Sequence, residues 1–165
     1  MTPLPTTTPT LDRAMSLARI DLTPDHRPPR ARNVVVATVV AVVGSLLADA
    51  ALVAVGEAVF PSTKGYVHFQ FADYTKLTVV GVVIACLAWP VVTRISSAPR
   101  WLFLRLAVLV TAVLLLPDVW LLVKGQPPSA VLVLVLMHLA IAVVTYNSLV
   151  RLAPVRRRRR RAPEA

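Results

Sequence analysis

Four long apolar runs limit what this chain can become. They cover about residues 34–58, 75–95, 101–123 and 128–150. Each reaches the ~20 residues that a helix needs to cross a hydrocarbon core. Backbone groups surrounded by lipid must satisfy one another, so such runs fold as helices even where β-branched valine is frequent. The expected fold class is therefore all-α: a four-span transmembrane helical bundle with disordered cytoplasmic tails.

Composition agrees with this. Hydrophobic residues make up 56% of the 165 positions, above the ~45–50% usual for soluble domains. Charged residues make up only 16% and gather at the ends and in short loops. Residues 1–32 are rich in Pro, Thr and Arg ("MTPLPTTTPT", "DHRPPRAR"), which predicts a disordered basic tail. Within it, "LDRAMSLARI" offers a short interfacial helix with Leu11, Met15 and Leu22 on one side. No apolar segment follows Met1 closely, so a cleavable signal peptide is not expected. Residues 33–152 form the expected transmembrane domain, and 153–165 a second, polybasic tail.

Charge sets the expected orientation. All 15 arginines fall in the N-terminal tail, in the 94–105 region or at the C-terminal end, whereas Lys64, Lys76 and Lys124 fall on the opposite side. An even number of spans puts both termini on one face, and the excess of arginine makes that face cytoplasmic. The expected location is a bacterial plasma membrane, multi-pass. Arginine used in preference to lysine, with abundant Ala and Val, suggests a GC-rich bacterial genome.

The helix faces follow from a 3.6-residue period. In the first span Thr38, Ala41, Ser45, Asp49, Leu52 and Gly56 share a stripe, which predicts a buried helix with Asp49 pointing inward. In the second, Gly81, Ala85 and Ala88 have small-xxx-small spacing, and Pro90 is expected to kink the helix near its inner end. In the third, Ala107, Thr111, Leu114 and Asp118 share a face, Pro117 predicts another kink, and Arg105 can snorkel to the headgroups. In the fourth, Leu134, His138, Ala142 and Thr145 align.

Asp49, Asp118 and His138 therefore lie at membrane depth, where a charge near the centre costs ~2.5–3.5 kcal/mol. Such residues normally face the bundle interior and pair. One role is polar glue between helices, worth ~0.6–2 kcal/mol. The other is a protonatable relay or cation site. No acidic residue lies in the inner half of any span, which favours glue, since a complete pathway would need polar groups there.

Other features carry less chemistry. Cys86 is the only cysteine, so thiol oxidoreductase chemistry that needs a cysteine pair is excluded. His26, His68 and His138 are scattered and no metal site is expected. Glu57, His68 and Asp73 fit no metal motif and are expected to be ordinary loop residues. No catalytic triad or HExxH motif occurs, so neither an enzyme nor a cofactor is expected. The arginine run Arg156, Arg157, Arg158, Arg159, Arg160 and Arg161 follows closely on a membrane helix. Anionic lipid headgroups are its expected contact, at ~1 kcal/mol per residue, and nucleic acid is disfavoured.

An N-terminal span following an Arg/Pro tail, "LLLPD" (114–118) and "LVLMHLAIAVV" (134–144) resemble the small four-helix membrane proteins of actinobacteria that carry a domain of unknown function. The resemblance covers about residues 34–152 and implies a fold and a membrane location but no activity. Small multidrug transporters are not closely similar: they place a glutamate where Asp49 stands, but the tails and the long first loop differ. The expected function is a non-enzymatic structural or accessory subunit, with a membrane-protein partner or a homo-oligomer in view. The alternative is a small proton-coupled transporter using Asp49, Asp118 and His138.

Overall fold

The computed structural model describes residues 13, 16, 19–21 and 23–157. Four helices dominate it: α1 (Ala31–Val59), α2 (Phe71–Ile95), α3 (Pro99–Val123) and α4 (Pro128–Leu152). All four are long and apolar enough to cross a membrane. The protein is an all-α four-helix bundle, and each helix extends to or a few residues beyond its expected boundaries. α2 and α3 run unbroken through Pro90 and Pro117.

Local sequence explains where the helices stop. α3 closes in a Schellman motif: Gly125 takes φ 77°, its N–H donates to the Leu122 carbonyl, and Gln126 N–H donates to Leu121. A Cβ at Gly125 would meet no neighbour within 4 Å, but a side chain would strain the backbone in that left-handed conformation. The Pro127-Pro128 pair then opens α4, where the missing N–H groups cost nothing.

Arg94, Arg100 and Arg151 mark one end of the bundle, the arginine end, and Lys64, Lys76 and Lys124 the other, the lysine end. α1 packs along α4 at very close range. A methyl group at Gly56 would come within 2.7 Å of Val133 Cγ2, and one at Gly44 within 3.0 Å of Val144 Cγ1. Of the expected stripe on α1, Ala41, Ser45, Asp49 and Gly56 are buried and Thr38 and Leu52 half-buried, with Ala37 buried beside them. By contrast, α2 turns Tyr74, Thr78, Val82, Cys86 and Trp89 inward, so its Gly81–Ala85–Ala88 row is not the face it packs with. α3 is the peripheral helix, held mainly by α4, and buries only Pro99, Phe103 and Asp118.

The arginine-end half of the bundle is a packed apolar core of Ala37, Ala41, Val82, Cys86, Trp89, Phe103 and Leu149 among others. Trp89 is fully buried, donates its indole N–H to the Ala153 carbonyl at 2.9 Å, and meets Phe103 edge-on at 5.1 Å. Arg105 turns toward the arginine end, and its guanidinium stacks 3.6 Å over Trp101.

The segment expected to be a disordered tail departs from that expectation where it is described. Asp21 N–H donates to the Ile95 carbonyl at 2.8 Å, Ser96 Oγ to the Arg19 carbonyl at 2.9 Å, and His26 Nε2 lies 3.0 Å from the Thr93 carbonyl. His26–Arg27 (β1) pairs antiparallel with Arg156–Arg157 (β2), and Arg156 Nε donates to the Pro28 carbonyl at 3.0 Å. The docking uses backbone groups, which composition does not reveal. Both described chain ends thus meet across the arginine end. The interfacial helix expected around Leu11, Met15 and Leu22, and the arginines Arg158–Arg161, lie outside the described residues.

Candidate functional site

The three intramembrane ionisable residues come together in part. α1 buries Asp49 completely, and Thr78 Oγ1 of α2 donates to its Oδ2 at 2.7 Å. Its other oxygen, Oδ1, is buried without a hydrogen-bond partner among the described residues. Asp118 on α3 is 4% exposed, and its Oδ2 lies 3.1 Å from His138 Nδ1 on α4. That imidazole nitrogen also lies 3.0 Å from the Leu134 carbonyl, one turn back on its own helix. An N–H on that nitrogen is better aligned with the carbonyl, and Asp118 Oδ2 stands beside it at ion-pair distance.

Asp49 and Asp118 therefore do not share a bond. They hold different helix pairs, α1 with α2 and α3 with α4, and His138 is near enough to act electrostatically on both. Further buried hydroxyls are unpartnered too. Ser45 Oγ, Thr75 Oγ1, Thr145 Oγ1 and Tyr66 Oη also find no hydrogen-bond partner among the described residues. The sequence reading missed Tyr66. This loop residue packs edge-on against His68 and Phe69. Burial, and secondly the Asp118 carboxylate, push its hydroxyl above the ordinary tyrosine value. An aromatic loop residue ahead of a membrane helix reads as an interface anchor, and only the fold brings it to Asp118.

A cleft of about 820 Å³ opens beside this cluster, between α2 and α3 with α4 as its floor. His68, Asp73 and Tyr74 stand at its lysine end, Asp118 and His138 further in, and Phe103 and Ala88 toward the arginine end. The small-residue row of α2 lines it, and a Cβ added to Gly81 would meet nothing within 4 Å. No group of three or more metal-ligating side chains occurs among the described residues.

A protein-family model described as a family of unknown function, DUF6069, matches residues 25–155. No curated protein and no solved structure matches the chain.

Proposed function

The chain belongs to the DUF6069 family of unknown function, and from that premise we propose that this multi-pass membrane protein is a non-enzymatic structural or accessory subunit. The observation that carries the reading is the apolar core of the arginine-end half, filled by Trp89, Leu149 and their neighbours. A proton or cation pathway needs ionisable or polar groups through the full depth of the bilayer, whereas here the carboxylates Asp49 and Asp118 both stand in the lysine-end half and the buried polar residues of the other half are the uncharged Thr93, Ser96, Thr145 and Ser148. Asp49–Thr78 and Asp118–His138 each join two helices, as interhelical polar contacts in membranes do. The proposed setting is a bacterial plasma membrane, with the arginine end cytoplasmic and the arginine run from Arg156 to Arg161 against anionic headgroups. An actinobacterial source, a membrane-protein partner or a homo-oligomer belongs to the same reading.

Affinity purification of the tagged protein from its own membranes in mild detergent tests this. A stoichiometric second protein supports the accessory role, and a clean homomer counts against a separate partner. A reporter fused to the C-terminus that is active only outside the cytoplasm would overturn the orientation.

A second reading, a small proton-coupled transporter, draws on the unpartnered oxygens of Asp49 and Asp118. In proteoliposomes carrying a pH-sensitive dye, proton flux that Asp118→Asn abolishes without unfolding would establish it in place of the first.

A further inference from the structure

Arg19 is the one non-glycine residue with a left-handed backbone among the described residues, at φ 52°. Such a conformation persists only where its surroundings hold it. Here the hold is on its carbonyl, which accepts from Ser96 Oγ at 2.9 Å and from Ser97 N–H at 3.3 Å. Arg19 is thereby fixed to the connection between α2 and α3. Its guanidinium lies 5.3 Å from the centre of the Trp101 ring, in the first turn of α3. Arg105, one turn further along α3, stacks on the same ring at 3.6 Å.

Two guanidiniums are thus held at one indole without an acidic partner. Neither forms a salt bridge among the described residues. The guanidinium hydrogen bonds found there belong to Arg94 and Arg156. Asp21, two positions from Arg19, turns its carboxylate to Thr23 N–H at 2.9 Å. A guanidinium lying on a ring satisfies its face but keeps the N–H groups of its edge, which lie in its own plane. Like charges this close repel, and an anion between them reverses the sign of the interaction. Phosphate fits best, because its several oxygens accept from both forks at once.

Position decides what carries the phosphate. Arg19 and Arg105 are exposed and Trp101 is half-buried. They stand at the arginine end, where an indole marks headgroup depth. Val108 and Leu109, on the turn after Arg105, are exposed and give acyl chains an apolar surface continuous with the ring.

We propose that Arg19, Trp101 and Arg105 form a site for the phosphate group of an anionic phospholipid. The N-terminal arm supplies one jaw and α3 the other, so lipid bound there favours the docked arm. The site goes beyond the accessory role and is distinct from the diffuse attraction of the Arg156–Arg161 run.

The test is native mass spectrometry of the full chain in mild detergent, titrated with phosphatidylglycerol, phosphatidylcholine or inorganic phosphate. The expected result is a saturable phosphatidylglycerol adduct that inorganic phosphate does not displace. Phosphatidylcholine, whose choline offsets its phosphate, should bind more weakly. Arg105→Gln leaves the backbone of the arm untouched and should weaken the tightest phosphatidylglycerol adduct about tenfold or more, the loss expected for one charge-assisted hydrogen bond. Arg19→Gln should do the same. Ser96→Ala removes no charge but loosens Arg19, and should weaken the adduct as well. Arg32→Gln removes the same charge from an exposed position at the start of α1 and should leave the adduct unchanged. Equal losses from Arg32→Gln and Arg105→Gln would reduce the effect to general attraction by a basic surface and overturn the proposal, as would equal binding of the two lipids. Inorganic phosphate that binds through Arg19 and Arg105 and displaces phosphatidylglycerol would overturn the lipid as carrier and put a soluble phosphate in its place.

Discussion

His138 Nδ1 stands 3.1 Å from Asp118 Oδ2, yet its N–H points to the Leu134 carbonyl at 3.0 Å. The pair is close but not well directed, so its coupling should be modest. A double-mutant cycle with Asp118→Asn and His138→Gln, measured by reversible unfolding in detergent, should give about 0.6–1.7 kcal/mol, the range of interhelical polar contacts in membranes. A coupling several times larger would mean a true charge-assisted bond.

Thr78→Val removes the one donor to Asp49 among the described residues and leaves a fully buried carboxylate without a partner there. The expected loss is about 1–3 kcal/mol. Asp49→Asn made in that background should recover part of it, because the carboxylate is then gone. Unfolding of the single and double variants checks both signs.

The glycines separate by environment. Gly56→Ala forces Val133 to move from 2.7 Å and should cost about 1–3 kcal/mol by overpacking. Gly81→Ala has nothing within 4 Å to meet, and its higher helix propensity should leave stability level or raised by up to ~1 kcal/mol. Equal effects at the two positions would contradict the α1–α4 packing described above.

Trp89→Phe keeps most of the ring but loses the bond to the Ala153 carbonyl. About 1–3 kcal/mol should go, since that carbonyl is left buried without its donor.

Tyr66 gives stability one dependence on pH, at the alkaline end. Its hydroxyl is held above the ordinary tyrosine value by burial first and by Asp118 second. The folded state keeps this proton longer than the unfolded chain does. The stability contribution is therefore complete below the ordinary value near ~10 and is lost as pH rises through the folded one. Ultraviolet titration of the wild type against Tyr66→Phe should assign Tyr66 a transition above that value.

How much of this was legible in the sequence differs by element. The four helices follow from run length, and the buried side of α1 follows from Ala37, Ala41, Ser45 and Asp49, because small and polar residues in a membrane helix have few other places to go. The same reasoning misjudged α2. Gly81, Ala85 and Ala88 make a sound packing ridge, but Tyr74, Thr78, Val82 and Trp89 are the residues that face the bundle. In lipid, apolar residues fit either face, so periodicity alone could not choose between them. Asp118 with His138 was predicted as a candidate contact and is present. Asp49 instead pairs with Thr78, a residue that local pattern did not distinguish from any other threonine. Tyr66 joins the site through a loop fold, and the docked N-terminal arm uses backbone hydrogen bonds, neither of which leaves a periodic trace.

The clasp across the arginine end carries a consequence for biogenesis. Arg156 and Pro28, which it joins, lie 128 positions apart, so all four helices are synthesised between them. The N-terminal arm must wait until the last helix has been inserted before β1 finds β2. A chain released early, after three helices, would carry its arm without that partner strand. The closed clasp is thus a structural mark that all four helices are in place, and an open arm would give proteolytic surveillance a means of distinguishing molecules that lack the fourth.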